Sequence, residues 1–152
     1  MSIDVNSSYL AAIRDSVGSK MFRHLYAIDE HGNRSDILKN GRLSCAYYVA
    51  FILYHFKLIG DGHATVTSTI KDMEKSGWTV VNTPEPGDVL VWETSTEHVE
   101  DESHEHIGFY LGDGRATSNS SKLFEIVEHD WVFGVDTEGN PKRRVTNILR
   151  KP

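Results

Sequence analysis

One long apolar segment, from Ala46 to Phe56, constrains the fold more than any other part of this sequence. A turn signal, Asn40-Gly41, precedes it. Apolar and aromatic residues in the segment would fall on nearly every side of a helix rather than on one stripe. Such a helix is stable only when other elements cover most of its surface. We therefore expect a buried helix from about Ser44 to Phe56, with the rest of the chain packed around it.

The only cysteine of the chain, Cys45, falls at the start of this predicted helix. Backbone N–H groups at a helix start have no partner within the helix, and the helix dipole is positive there, so a thiolate would be stabilised. Cys45 is therefore a candidate nucleophile. The other interpretation is that it is a small buried hydrophobe, which is a common state for free cysteine. This segment alone leaves both open.

Composition excludes several classes of protein. The chain has 152 residues, which fits a single domain over residues 1–152, and a formal net charge of −6. No cluster of basic residues occurs before Lys142-Arg143-Arg144, so we expect no nucleic-acid partner. A single cysteine excludes an internal disulfide and a zinc ribbon. We expect no membrane span and no signal peptide, hence a cytoplasmic protein, with export by another route left open.

The first half of the chain is predicted to be mainly helical. Leu10, Ile13, Val17 and Met21 recur at helical spacing, which predicts a helix from about Ser7 to Leu25, capped by Asn6 or Ser7 and weakened near Gly18. A small hairpin is expected between Tyr26 and Leu38. After the central helix, a short helix capped by Thr67 or Ser68 should run to Lys75.

The second half is predicted to be β-structure. Turn signals at Pro86-Gly87-Asp88, Gly112-Asp113-Gly114 and Gly139-Asn140-Pro141 separate short apolar or alternating runs. The predicted strands are Val89–Trp92, His106–Leu111, Arg115–Asn119, Leu123–Val127 and Arg144–Leu149. Together these elements predict an α+β fold in which the cysteine helix packs on a mainly antiparallel sheet.

A thiol nucleophile needs a base, and the base needs a third group that fixes its tautomer. Of the eight histidines, His106 is the best placed, because it opens a strand of the sheet that the cysteine helix should cover. His98 and His104 lie with it in an acidic loop that has the spacing of metal ligands. The loop has no second ligand cluster, so we predict no metal and no cofactor. Its acids are expected to be a solvated surface or, alternatively, a rim that admits cationic groups.

Three motifs in this order resemble the NlpC/P60 superfamily of papain-like cysteine peptidases. They are Leu43-Ser44-Cys45-Ala46-Tyr47-Tyr48-Val49, then Pro86-Gly87-Asp88-Val89-Leu90-Val91-Trp92, then His106-Ile107-Gly108-Phe109-Tyr110-Leu111-Gly112-Asp113-Gly114 with Ser118-Asn119-Ser120-Ser121 behind it. The third motif is the most specific. The resemblance covers Leu43 to Ser121, about half of the chain.

The resemblance implies Cys45 as nucleophile, His106 as general base, and a third polar residue on the strand after the hairpin. It also implies a papain-like fold and cleavage of amide bonds in the stem peptides of peptidoglycan. The chain departs from the family pattern at Ser44, where Asp is common, and at the third position, where histidine is common.

Strand register decides which residue fills the third position. If the hairpin loop is Asp113-Gly114 alone, Gly108 pairs with Asn119, and Asn119 shares the sheet face of His106. If the loop is Gly112-Asp113-Gly114, Ser118 takes that face. We predict Asn119, because an amide oxygen accepts well from an imidazole N–H. Ser118 and His129 are the alternatives.

Three hypotheses for function follow. The first is a peptidoglycan endopeptidase or amidase that works through Cys45, His106 and Asn119 and an acyl-enzyme. The second keeps the same dyad with another amide substrate, as in an effector toxin, a phage lysis factor or a deamidase. The third is a binding module of this fold that lacks catalysis and has an unreactive thiol.

Overall fold

A computed structural model describes residues 1–94 and 105–152. Within these ranges there are three helices: α1 (Val5–Asp15), α2 (Cys45–His55) and α3 (Val66–Lys75). The strands in the same ranges are β1 (Tyr26–Ile28), β2 (Arg34–Asp36), β3 (Thr79–Val81), β4 (Val89–Trp92), β5 (His106–Gly112), β6 (Arg115–Ser120), β7 (Glu125–Asp130) and β8 (Val145–Arg150). The α+β prediction is confirmed.

Six of these strands form one antiparallel sheet in the order β3-β8-β4-β5-β6-β7, while β1 and β2 form the separate predicted hairpin. Helix α2 packs on one side of the sheet, which we call the helix face. Val89, Val91, Ile107 and Phe109 point to this face and join the buried side chains of α2 in the main core. The apolar segment therefore organises the fold as predicted, since only three of its side chains, those of Phe51, Tyr54 and His55, are exposed.

The other side of the sheet, which we call the aromatic face, is covered by the chain that follows β7. Leu90, Trp92, Ala116 and Ile148 form a second buried cluster there. Trp131 and Phe133 pack against it, and the indole N–H of Trp92 donates to the carbonyl oxygen of Trp131 at 2.7 Å. Side chains thus alternate along each strand between two separately packed layers.

The first helix is shorter than the predicted span of Ser7 to Leu25. It is capped by Asp4, which accepts from the N–H of Ser7, and it ends at Asp15. Beyond it, the backbone of Gly18 and Ser19 bonds to both polar groups of Ile126 on β7, at 2.7 and 3.1 Å. This pairing to the sheet edge replaces the helical hydrogen bonds, and Gly18 permits it with a φ of +83°.

The Pro86-Gly87-Asp88 turn fixes the entry into β4. The buried carboxylate of Asp88 accepts from the N–H of Glu85 at 2.7 Å and from two guanidinium nitrogens of Arg150 at 2.9 and 2.6 Å. Arg150 ends β8, so this turn also holds β8 beside β4. Gly87 has a φ of +93°, and a Cβ there would lie 2.9 Å from the side chain of Leu10.

Within the described ranges, no helix is both long enough and apolar enough to span a bilayer.

Candidate active site

Cys45 is the first residue of α2, as the sequence predicts. Its thiol lies against the start of β5, where it accepts a hydrogen bond from the backbone N–H of Ile107. The N–H groups of Cys45 and Ala46 also point to the sulfur. The helix start thus supplies the donors expected for a thiolate or an oxyanion.

Burial nevertheless dominates the acidity of this thiol. Cys45 is only 5% exposed, and burial raises the pKa of its thiol above the ordinary value. The three backbone N–H groups and the positive charge of Arg143 lower the pKa, but they do not outweigh burial. In the resting protein the thiol is therefore neutral, so a nucleophilic Cys45 needs a base to remove its proton.

His106 is the residue directly before Ile107 and pairs with Trp92 across β4 and β5. Its half-buried ring lies 5.3 Å from the Trp92 ring and 6.0 Å from the Phe133 ring, measured between centroids. Because the thiol bonds to the N–H of Ile107, Cys45 lies against the start of β5, of which His106 is the first residue.

Both residues line a cleft of about 700 Å³. A second cavity of about 260 Å³ lies on the α3 side, and Cys45 lines it as well, together with Ala46, Thr65, Val66 and Glu105. Cys45 therefore stands where the two cavities meet, and an extended ligand bound across it would place one part in each.

The predicted third residue, Asn119, does not share the face of His106. The hairpin loop is Asp113-Gly114 alone, with Gly112 opposite Arg115, but a bulge between Tyr110 and Gly112 shifts the register by one residue. Phe109 then pairs with Thr117, and a Cβ built on Gly108 would lie 2.9 Å from the Cβ of Ser118. Ser118 is thus the residue on the face of His106, and the prediction for Asn119 is wrong in this geometric respect.

Asn119 makes a structural hydrogen bond instead. It points to the helix face, where its amide donates to the carbonyl oxygen of Gly41 at 2.6 Å. Gly41 belongs to the turn before α2, and Asn119 is itself buried. Asn119 therefore holds the turn that leads into Cys45.

Ser118 and His129, the two alternatives, are hydrogen-bonded to each other. The Oγ of Ser118 lies 2.7 Å from Nε2 of His129 on β7, and Nδ1 of His129 donates to the carbonyl oxygen of Asp130 at 2.7 Å. Burial lowers the pKa of His129, so its ring is neutral near pH 7. No local signal in the sequence brings these two residues together, because their contact depends on the bulge and on the pairing of β6 with β7.

Among the described residues that line the cleft, basic side chains outnumber acidic ones, although the whole chain has a net charge of −6. The basic residues that line the described part of the cleft are Arg42, Lys122, Lys142 and Arg143. The acidic ones are Glu93 and Asp136. Asp136 is engaged with the backbone N–H groups of Glu138 and Asn140. The sequence alone does not predict this basic lining, since its members come from three separate segments of the chain.

The predicted absence of a metal concerns residues that the structure describes only in part. In residues 1–94 and 105–152, no three histidine, cysteine or acidic side chains are grouped as metal ligands. His98, His104 and most of the acidic loop lie outside the described residues. Glu105, the described end of that loop, lines the second cavity.

Comparison with known proteins bears on the fold. No protein-family model and no curated protein matches the sequence. Among solved structures, the chain is similar to NlpC2 from Trichomonas vaginalis, with a TM-score of 0.56 and 17% sequence identity. The similarity covers 99% of this chain and 47% of that one, so this chain spans about half the length of its neighbour. The fold is NlpC-like, as the motifs predict, and at this identity the likeness concerns the fold alone.

Proposed function

We propose that residues 1–152 form a cysteine hydrolase domain of the NlpC/P60 type, which cleaves amide bonds with Cys45 as nucleophile and His106 as general base. The observation that carries this proposal is that the Cys45 thiol lies against the start of β5, of which His106 is the first residue. The thiol bonds to the N–H of the residue next to His106, and both side chains line one cleft.

The chemistry follows from the neutral state of the thiol. His106 takes the thiol proton as the sulfur attacks the amide carbonyl, and the N–H groups at the start of α2 stabilise the oxyanion. The C–N bond then breaks, the proton passes from His106 to the leaving amine, and a thioester to Cys45 remains. Water, activated by His106, hydrolyses the thioester and restores the thiol.

We propose peptidoglycan stem peptides as the substrate class. The fold likeness and the motif resemblance support an amide substrate, and the basic lining supports one that carries free carboxylates, as stem peptides do. The two cavities that meet at Cys45 suit an extended peptide with residues on both sides of the cleaved bond.

Digestion of purified peptidoglycan, with mass spectrometry of the products, tests nucleophile and substrate together. We expect the wild type to release peptides and Cys45→Ala to release none. His31→Gln, a change in an exposed turn, serves as the control and should act like the wild type. Full activity of a protein whose Cys45 is stoichiometrically alkylated would overturn the proposal.

The charge of the cleft can be tested separately. Replacing Lys142 with Glu should raise KM for a peptide with free carboxylates and leave KM for the amidated peptide unchanged. Lys71→Glu, an equal change of charge on the exposed side of α3, is the matched control. Equal effects of the two variants would show that only net charge matters.

The raised pKa of Cys45 favours a second candidate, a binding module of this fold without catalysis. The rate of Cys45 alkylation by iodoacetamide separates the two. A hydrolase predicts a rate that falls severalfold in His106→Ala at neutral pH, because the base that assists deprotonation is lost. A binding module predicts the same slow rate in both proteins, rising only at alkaline pH.

A further inference from the structure

We propose that Asn40-Gly41, in the turn before α2, is a site of spontaneous deamidation, and that the hydrogen bond from Asn119 to Gly41 sets its rate. This is the single Asn-Gly dipeptide of the chain. Glycine directly after asparagine favours the reaction, because no side chain hinders the backbone nitrogen from approaching the amide. Only this chain and water take part, so the reaction does not depend on the proposed hydrolase activity.

The chemical step is a ring closure between these two neighbouring residues. The backbone nitrogen of Gly41 loses its proton to the solvent and attacks the side-chain carbonyl carbon of Asn40. A new C–N bond forms, the bond to the amide nitrogen breaks, and that nitrogen leaves as ammonia after taking a proton from the solvent. Water then opens the cyclic imide at either of its carbonyl groups, which gives aspartate or isoaspartate at this position.

Both reacting groups are unengaged in the part of the chain that the structure describes. Asn40 is exposed, and its side-chain amide makes no hydrogen bond within residues 1–94 and 105–152. The backbone N–H of Gly41 makes none within the same ranges, although Gly41 is itself buried. Ring closure therefore breaks no hydrogen bond of the attacking nitrogen or of the amide that it attacks.

The backbone on both sides of the reacting groups is held in place. The N–H of Asn40 donates to the carboxylate of Asp36 at 2.8 Å, and the amide of the buried Asn119 donates to the carbonyl oxygen of Gly41 at 2.6 Å. Ring closure turns the peptide plane between Asn40 and Gly41, which moves the Gly41 carbonyl group away from Asn119. The bond from Asn119 must break first, so deamidation proceeds from a locally opened turn.

Backbone strain favours that opening. Lys39, Asn40 and Gly41 have φ values of +50°, +57° and +91°, so three successive residues lie in the left-handed region. Lysine pays a steric cost there, whereas glycine does not. A Cβ on Gly41 would lie 3.1 Å from the side chains of Arg23 and Phe124. The fold thus requires glycine at the same position that makes deamidation fast, and opening the turn releases the strain at Lys39.

Modification alters the entry into the helix that carries Cys45. Aspartate adds a negative charge five residues before Cys45, and isoaspartate also adds a methylene group to the backbone. The bonds to Asp36 and Asn119 are then separated by one more carbon atom. We expect the start of α2 to loosen, so that iodoacetamide alkylates the buried thiol faster in the isolated isoaspartyl form than in the unmodified protein. An equal rate would overturn this consequence.

Incubation of the purified chain in mildly alkaline buffer, followed by peptide mapping with mass spectrometry, tests the site. We expect Asn40 to convert to the two acid forms before Asn33, an exposed asparagine that is followed by Arg34. Asn40→Gln should show no conversion at this position, because a glutamine side chain has to close a larger ring. Conversion of Asn33 ahead of Asn40, or an Asn40 that converts only in a denatured sample, would overturn the proposal.

Two further variants separate local opening of the turn from global unfolding. Asn119→Ala removes the bond to Gly41, and we expect deamidation of Asn40 to be about 10-fold faster. Tyr48→Phe destabilises the fold but keeps that bond, so its rate should stay within about twofold of the wild type. Equal acceleration in both variants, or none in Asn119→Ala, would overturn the role of Asn119. The wild type and Asn40→Gln decide the site even if Asn119→Ala does not fold.

Discussion

The helix face and the aromatic face of the central sheet are built from the same strands but have different surfaces. Along β5 and β6, the residues Ile107, Phe109 and Thr117 close the helix face against α2, while His106 and Ser118 point to the opposite side. The helix face holds the nucleophile in place by packing, and the aromatic face holds the polar groups by hydrogen bonds and ring contacts. The proposed nucleophile and the proposed base both lie near the start of β5 and line one cleft.

Because both faces are built from the same strands, adding a side chain where β5 packs closely against β6 should destabilise the protein more than a change on either face. A Cβ on Gly108 would lie 2.2 Å from the carbonyl oxygen of Thr117, a backbone atom that cannot move without breaking the ladder. We expect Gly108→Ala to lower the free energy of unfolding by about 3 kcal/mol, measured by urea denaturation. Gly62→Ala is the control, since a Cβ on Gly62 would meet nothing within 4 Å and its effect should be near zero.

A change on the helix face should affect stability through the turn before α2. Asn119→Ala leaves the carbonyl oxygen of Gly41 without its buried donor, and we expect a loss of about 2 kcal/mol in the free energy of unfolding. Asn147→Ala, an exposed position on β8, should change it little. An unfolding midpoint equal to that of the wild type would show that the bond to Gly41 does not hold the turn.

Tyr48 of α2 links the end of α1 to β6 through its hydroxyl group, and we expect it to contribute less to stability than Asn119. Its hydroxyl lies 2.8 Å from Ser16 Oγ and 3.0 Å from Thr117 Oγ1, and burial raises its pKa to about 12. Tyr48→Phe should cost about 1 kcal/mol, because two hydroxyls lose a partner while the ring packing stays. Tyr54→Phe on the exposed side of the same helix should have no measurable effect on the urea midpoint.

On the aromatic face, His129 should make the free energy of unfolding depend on pH. We expect this effect on stability to be smaller than those of the three substitutions above. Because burial lowers the pKa of His129 in the folded protein, the unfolded chain binds the proton more readily. The free energy of unfolding should therefore fall as the pH drops below about 6.5, the unperturbed histidine value. His129→Gln should reduce the difference between urea midpoints at about pH 7.5 and about pH 5.5. An unchanged difference would contradict burial as the cause.

Local signals in the sequence predict much of this architecture. Turn residues bound β4, β5 and β6, and the apolar segment gives α2, each within one or two residues of the observed ends. The end of α1 is not predictable in this way, because it depends on hydrogen bonds from Gly18 and Ser19 to Ile126, more than a hundred residues along the chain.

The site is predictable only in part, for the same reason. Motif order singles out Cys45 and His106, and both residues line one cleft in the structure. The sequence leaves two hairpin registers open, and the bulge between Tyr110 and Gly112 gives the one that puts Ser118 on the face of His106 and Asn119 on the other face. The burial that raises the pKa of Cys45 likewise arises from packing between distant segments.

The position of β8 has a consequence for how the molecule assembles. Strands β4 to β7 are neighbours both in the sheet and along the chain, so their pairings close short loops. β8 instead enters between β3 and β4 and is the partner through which β3 joins the sheet. Pairings between distant segments form slowly. We therefore expect the strands that carry His106 and Ser118 to associate early, and the Asp88–Arg150 contact to form in the last step of folding.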